Sequence, residues 1–293
     1  MKRYTLFLFI FSLFYVNFAW SAGQVSPVLD FQSARTLGLA GAGKAVPTLT
    51  DVIFLNPAAL GLAESQGVSG TYDWLNHQDP AIASTAQRVL NASIIDGKNP
   101  YAGAGIAFTR RPDLDLYHMV VAKKLTNWFS VGGTAKRFSV RPAYETIAGS
   151  HVGYDGGLSI ALNPGALIPL VPVQLGVTMD NLVRFSGNEK YIGGRKLGVG
   201  ARANLTDILY LMVDYTKNMG NTSRSFSSMS LAGELSLGGG LFARGGIQRM
   251  DMQAWSVGGS WMAPKVGFSY GYMRRTGPTP NGFEHAFTLD LYM

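Results

Sequence analysis

The chain has 293 residues and a formal net charge of +7, with 15% charged against 47% hydrophobic residues, 36 glycines and no cysteine. A soluble domain of this size carries about 25% charge, so the deficit points to a membrane, and no run of ~18 apolar residues after residue 22 supplies a transmembrane helix. Lacking cysteine, the chain has no disulfide, thiolate metal site, Cys nucleophile or lipid-modified cysteine.

In chain order, the first 22 residues read as an export signal. Lys2 and Arg3 precede the apolar stretch TLFLFIFSLFYVNFAW, and Ala19 and Ser21 are small residues at the positions a signal peptidase reads. Cleavage is expected near Ser21 or Ala22. Residues 23–66 then form an N-terminal segment, with an extended lead-in over 23–32.

Residues 33–61 are Gly- and Ala-rich, change character at Asp51 and end in Asn56-Pro57-Ala58-Ala59. Gly38, Gly41 and Gly43, followed by Lys44, nearly spell a phosphate-binding loop. However, Ala45 stands where Ser or Thr must hold magnesium, Pro47 comes too soon for a helix, and FQSARTL is a poor buried strand. No nucleotide or other cofactor is expected. The glycines suit tight backbone packing and positive φ instead. In Asn56-Pro57-Ala58, Asn can bond its own backbone two residues on and Pro fixes the next φ, giving a turn or helix start. A short helical turn closed by Gly61 should follow.

From Gly67 onward the pattern has period two. Val171, Val173, Leu175, Val177 and Met179 oppose Gln174, Gly176, Thr178 and Asp180; Val266, Phe268, Tyr270 and Tyr272 oppose Gly267, Ser269 and Gly271. Strands are expected near 67–75, 89–96, 101–110, 114–124, 127–138, 151–162, 171–181, 193–204, 206–217, 225–237, 240–250, 252–263, 264–275 and 282–293. That makes 14, an even number, as single-chain membrane barrels have.

A soluble sandwich also alternates, but its second face should be rich in Lys, Glu and Thr. Here that face is mostly Gly, Ser, Ala and Thr, as a narrow, filled lumen requires. Aromatics (Tyr72, Trp74, Trp128, Tyr154, Tyr215, Tyr272) gather near strand ends like interfacial girdles. The expected fold is all-β: a transmembrane antiparallel β-barrel over residues 67–293.

These features together resemble the FadL-type outer-membrane barrels and their PorV-like relatives. The matching residues are Ala34-Arg35 leading into Gly38-x-x-Gly41-x-Gly43, Asn56-Pro57-Ala58, and Gly282-Phe283-Glu284-His285 near the end. The resemblance implies a 14-stranded barrel whose N-terminal segment folds inside the lumen as a hatch. For the FadL branch it also implies passive transport of hydrophobic compounds; the PorV-like branch includes barrels tied to protein secretion.

Alternation puts Lys136, Asp155, Asp180, Lys196, Arg202, Asp214, Glu234, Arg244 and Asp290 on the lumen face. Buried charges of both signs should pair with one another or with the hatch. Arg35 and Lys44 are candidates to meet inward acids such as Asp155, Asp180 or Asp214. Gly103 and Gly105, after Pro100, could weaken strand pairing and mark a lateral exit.

His77, His118, His151 and His285 have no metal-site spacing, and no Ser sits in a GxSxG pattern. No metal site and no enzyme activity are expected. The expected partners are outer-membrane lipid and lipopolysaccharide, with small hydrophobic ligands or a secretion or assembly protein as alternatives. Lys and Arg occur singly or in pairs, without aromatic-interleaved basic runs, so nucleic acid is excluded.

Overall fold

The computed structural model describes residues 33–49, 51–77, 87–99, 101–111, 114–142, 152–163, 172–182, 195–219, 227–249, 253–276 and 282–293. The expected export signal (1–22) and lead-in (23–32) lie outside the described residues.

Fourteen antiparallel strands close on themselves, β1 pairing with β14. In order they are β1 (Gln66–His77), β2 (Gln87–Asp96), β3 (Gly103–Arg110), β4 (Leu114–Thr126), β5 (Phe129–Val140), β6 (Val152–Leu162) and β7 (Val173–Asp180). β8 (Lys196–Thr206), β9 (Leu209–Asn218), β10 (Ser227–Gly238), β11 (Leu241–Arg249), β12 (Gln253–Met262), β13 (Val266–Thr276) and β14 (Gly282–Tyr292) complete the ring. Each strand pairs with its sequence neighbours, so every connection is a hairpin and the closed ring leaves no edge strand.

The two rims differ. At one, tight turns join the strands at Asn127-Trp128, Asp207-Ile208 and Gly239-Gly240, and the ladder shifts register beside each of them. At the other rim the strand ends are separated by longer stretches of sequence, nine residues between His77 of β1 and Gln87 of β2 and fifteen between Asp180 of β7 and Lys196 of β8.

Alternation decides what faces outward. Ile106, Met119, Val121, Leu158, Ile247, Phe268 and Phe287 point away from the barrel, each more than half exposed. An apolar band of this extent on a closed barrel has only lipid as a suitable environment. The opposite face is small and polar, with Ser69, Thr71, Ser93, Ser130, Ser159 and Thr288 buried.

Residues 33–63 cover that inner face. They form α1 (Ala34–Gly38), α2 (Asp51–Leu55), a 3-10 turn (Pro57–Ala59) and α3 (Leu60–Ala63). The apolar core lies between this segment and the wall. Val52, Ile53, Ala58 and Leu60 pack on Ile95, Val120 and Ala161; Ala34 and Leu37 pack on Ala254, Met273 and Ala286; Leu39 and Ala42 meet Met212 and Ala232. Helices of four or five residues do not persist alone in water, so the wall holds them in shape.

Two local expectations are corrected. Gly61 does not close the helical turn: it lies within α3, which ends at Glu64 in a left-handed conformation, φ 46°. Asn56 makes no side-chain cap; its amide is used at longer range, as described below.

Candidate functional site

The place to look for function is the contact between residues 33–63 and the inner wall, because it decides whether the lumen is open. Ser33 opens α1 by accepting from Thr36 N at 3.3 Å, and Ala40 (φ 52°) with Gly41 (φ 83°) then turns the chain out of the helix. Ala40 has a Cβ in a region that glycine favours, a strain that surrounding contacts must hold.

Wall hydroxyls answer the backbone groups that such short helices leave unpaired. Ser256 donates to Gly38 O at 2.9 Å and Ser230 to Ala40 O at 2.8 Å. Thr288 accepts from Ala34 N at 3.0 Å, and Ser159 from Ala58 N at 2.9 Å. Ser130 donates to Ala58 O. Each such bond contributes about 0.5–1.5 kcal/mol net. Asn56 Nδ2 donates to Lys44 O at 2.9 Å and to Ile160 O at 3.2 Å, tying two parts of the segment to β6. Asn56 therefore braces tertiary structure where a local turn bond was expected.

Wall glycines make room for these approaches. A Cβ on Gly176 would lie 2.2 Å from Lys44 O, and one on Gly271 2.3 Å from Ala34 O. Gly38 matters for the same reason from the other side: its Cβ position is 3.0 Å from Gly258 Cα.

Two ionic contacts fix the segment. Arg35 donates from Nε and Nη2 to the carboxylate of Glu234, at 3.1 and 3.3 Å. Glu234 also accepts from Arg244 Nε at 2.6 Å, and Arg244 Nη2 donates to Ser260 at 2.8 Å. Asp214 Oδ2 accepts from the backbone of Gly43 and Lys44 at 3.0 and 2.9 Å, with Lys44 Nζ 3.6 Å away. Burial would lower the Arg35 guanidinium, but Glu234 and Asp51 more than offset this and hold it above its usual value. Asp51 is pushed up by burial against the opposing pull of Arg35. Between segment and wall lies a small cavity of about 20 Å³, lined by the charged Arg35, Asp51, Arg244 and Asp290 together with the apolar Leu49 and Met262, with room for about one water.

Comparisons with known proteins bear on the fold. No protein-family model matches the sequence, and no curated protein matches it. Solved structures do. The CymD monoaromatic hydrocarbon channel superposes with a TM-score of 0.64 at 13% identity, over 88% of this chain and 96% of that one. The Pseudomonas putida toluene transporter TodX gives 0.63 at 9% identity, over 92% and 99%. A Pseudomonas aeruginosa FadL homologue gives 0.60 at 10% identity, over 90% and 98%. The fold is that of the FadL-type barrels.

Within this FadL-type fold the remaining candidate residues fall into separate places. Lys136, Asp155, Asp180 and Lys196 sit together on β5 to β8. Lys136 lies opposite Asp155 in the ladder and 3.1 Å from Asp180, and Asp180 lies opposite Lys196. Arg202 bonds Gln174 at 3.4 Å and stacks on the Tyr210 ring at 4.2 Å. Gly103 and Gly105 face inward, Gly103 against Leu60 and Gly105 between Ile95 and Val120. In the conformation described, the ladder runs unbroken past both, pairing them with Ala122 and Val120.

Sequence reasoning missed Asp51, which is 4% exposed, and the serine and threonine set of the wall. The hydroxyls did carry a signal, as the small polar face of each strand, but nothing local marked which of them would meet the segment. His118 was noted only for lacking metal spacing; it packs edge-on against Phe54 at 5.0 Å.

Proposed function

We propose that the chain is an outer-membrane barrel for passive transport of small hydrophobic solutes, with residues 33–63 as its hatch and residues 1–22 as its export signal. One observation carries the reading. The chain shares its fold, over about nine-tenths of its length, with CymD and TodX, a monoaromatic hydrocarbon channel and a toluene transporter. The physical case is that lipopolysaccharide presents a polar, crosslinked layer that apolar molecules cross slowly. A barrel that accepts them and releases them sideways removes that barrier.

The wall-to-segment contacts fit a hatch that can be displaced. They combine hydrogen bonds and ion pairs, which water can replace, with the apolar clusters described above. A lateral exit at Gly103 and Gly105 remains part of the proposal. Valine at both positions should slow uptake, and unchanged uptake would place the exit elsewhere.

The test is uptake of a panel of apolar compounds in a deletion strain, restored with the intact barrel or with residues 33–61 removed. Transport predicts restored uptake with the intact chain and altered rate or selectivity without the hatch. Uptake equal to that of the deletion strain in both cases would overturn it.

A second reading rests on how completely the described segment is held, from α1 on β12, β13 and β14 to the 3-10 turn on β4, β5 and β6. A fixed plug suits a barrel that binds a secretion or assembly protein without solute flux. Mass spectrometry of the detergent-purified barrel separates the two: co-purifying apolar ligands favour transport, and a stoichiometric bound protein favours the scaffold.

A further inference from the structure

The outward-facing strand residues carry a charge asymmetry that transport does not explain. At the rim where β1 ends at His77 and β2 begins at Gln87, the described strands present Arg88, Arg110, Arg137, Lys217, Arg249 and Arg274 outward, all exposed. Asp115 is the one outward-facing acid at this rim among the described residues, and it is engaged by Arg110 at 3.5 Å and Arg141 at 3.6 Å. At the opposite rim the described outward strand positions carry one charge of each sign, Lys123 and Asp96, and the exposed residues beside them, Lys98, Lys124, Lys265, Glu64 and Asp207, are also mixed. A general preference for basic residues at membrane boundaries would load both rims alike.

One part of this collar is also furnished with rings. On β1, β13 and β14, His285 stacks on Trp74 at 5.7 Å, meets Tyr272 at 5.0 Å and Phe283 at 5.4 Å, and bonds the Tyr270 hydroxyl through Nδ1 at 2.8 Å. This is an aromatic floor on the lipid side. Arg88 flanks it, opposite Trp74 in the ladder, and Arg274 flanks the far side, opposite Phe283 and Trp255. The two arginines stand three strand spacings apart and two residues out of line along the strands, about 16 Å. Neither makes an ion pair among the described residues.

Guanidinium groups select phosphate by paired hydrogen bonds, and aromatic faces give sugar rings a flat apolar surface. Barrels of this kind keep short turns on the periplasmic side and longer loops outside. The basic rim therefore meets the outer leaflet. We propose that Arg88, Trp74, His285, Tyr272 and Arg274 form a binding site for the phosphorylated sugar headgroup of lipopolysaccharide. The site depends on the barrel lying in an outer membrane but not on whether it conducts.

The experiment compares purified full-length barrel with the pair R88Q/R274Q and with K123Q/K265Q on the opposite rim. Heat-modifiable gel mobility first shows that all three are folded, as expected for exposed positions. Binding is then measured with lipopolysaccharide, with phosphatidylglycerol vesicles and with phosphatidylcholine vesicles. The native chain and K123Q/K265Q should bind lipopolysaccharide alike, and R88Q/R274Q should bind it at least about tenfold more weakly, since each basic group at an anionic surface is worth about one kcal/mol. Equal binding by R88Q/R274Q would overturn the proposal. So would phosphatidylglycerol binding as tight as lipopolysaccharide binding, since the collar would then be reading charge alone. If R88Q/R274Q fails to fold, R88K/R274K decides: it keeps the charge and loses the paired geometry, so undiminished lipopolysaccharide binding also overturns the site.

Discussion

Arg35 of α1 donates to both carboxylate oxygens of Glu234 on β10, at 3.1 and 3.3 Å, across a separation of 199 residues. Arg244 holds the same carboxylate from β11. One wall acid thus sits between a wall arginine and a segment arginine, and the segment completes a network that the barrel alone would leave with an incompletely engaged carboxylate.

Glu234→Gln should therefore loosen the segment more than the barrel. Losing one member of a buried ion pair costs about 3–5 kcal/mol, because the partner charge stays buried. Amide exchange of residues 33–49 should speed up while the strands keep their protection, and ion conductance in planar bilayers should rise. Unchanged exchange of the segment would show that Glu234 does not hold it.

Asp214 serves the segment differently, through two backbone amides and the Lys44 ammonium. Asp214→Asn keeps an acceptor oxygen and loses the charge; Asp214→Ala loses both. Hydrogen bonds to charged groups contribute about 1.5–3 kcal/mol, so segment protection should fall in the order native, Asn, Ala. Equal behaviour of the two variants would mean that the charge contributes nothing.

Gly176→Ala and Gly271→Ala place a methyl group 2.2 and 2.3 Å from segment carbonyl oxygens. Alanine is acceptable in a strand, so the barrel should still form and remain heat-modifiable. The segment should be displaced, at a cost of about 1–3 kcal/mol, and spin labels on half-exposed Val46 of the segment and outward-facing Leu158 of the wall, positions that neither substitution touches, should report a longer distance. A distance like that of the native protein would count against the tight fit.

The pH dependence should come in part from Asp51. Burial raises its carboxyl above the ordinary 3.8, so the folded protein binds its proton more tightly than the unfolded chain does. The resulting stabilisation is complete below about pH 4 and is lost as pH rises through the raised folded value. Segment protection should fall from about pH 4 upward in the native chain, with a shallower slope in Asp51→Asn. Identical slopes would remove Asp51 as the cause.

Much of the fold was legible because a strand writes its burial into every second residue. The expected and observed limits of β8 and β9 differ by three residues or fewer, and the last strand was read at 282–293 against an observed Gly282–Tyr292. Phe283, Phe287, Leu289 and Leu291 face outward because the pleat leaves them no other choice. Asn56 was misread for the opposite reason. Its immediate neighbours permit a local turn bond, and only the arrival of Lys44 O and Ile160 O offers better partners.

The sequence by itself determined a membrane-spanning antiparallel barrel with a small, polar inner face, because alternation and composition are local properties that each strand carries alone. Only the tertiary structure decided which wall residues meet the N-terminal segment: Glu234 and Asp214 for its two cations, and Ser130, Ser159, Ser230, Ser256 and Thr288 for its backbone. The segment has no strand periodicity, and its helices are too short to specify themselves. Its partners are chosen by the height and angle at which it crosses the lumen, and closing the ring sets both.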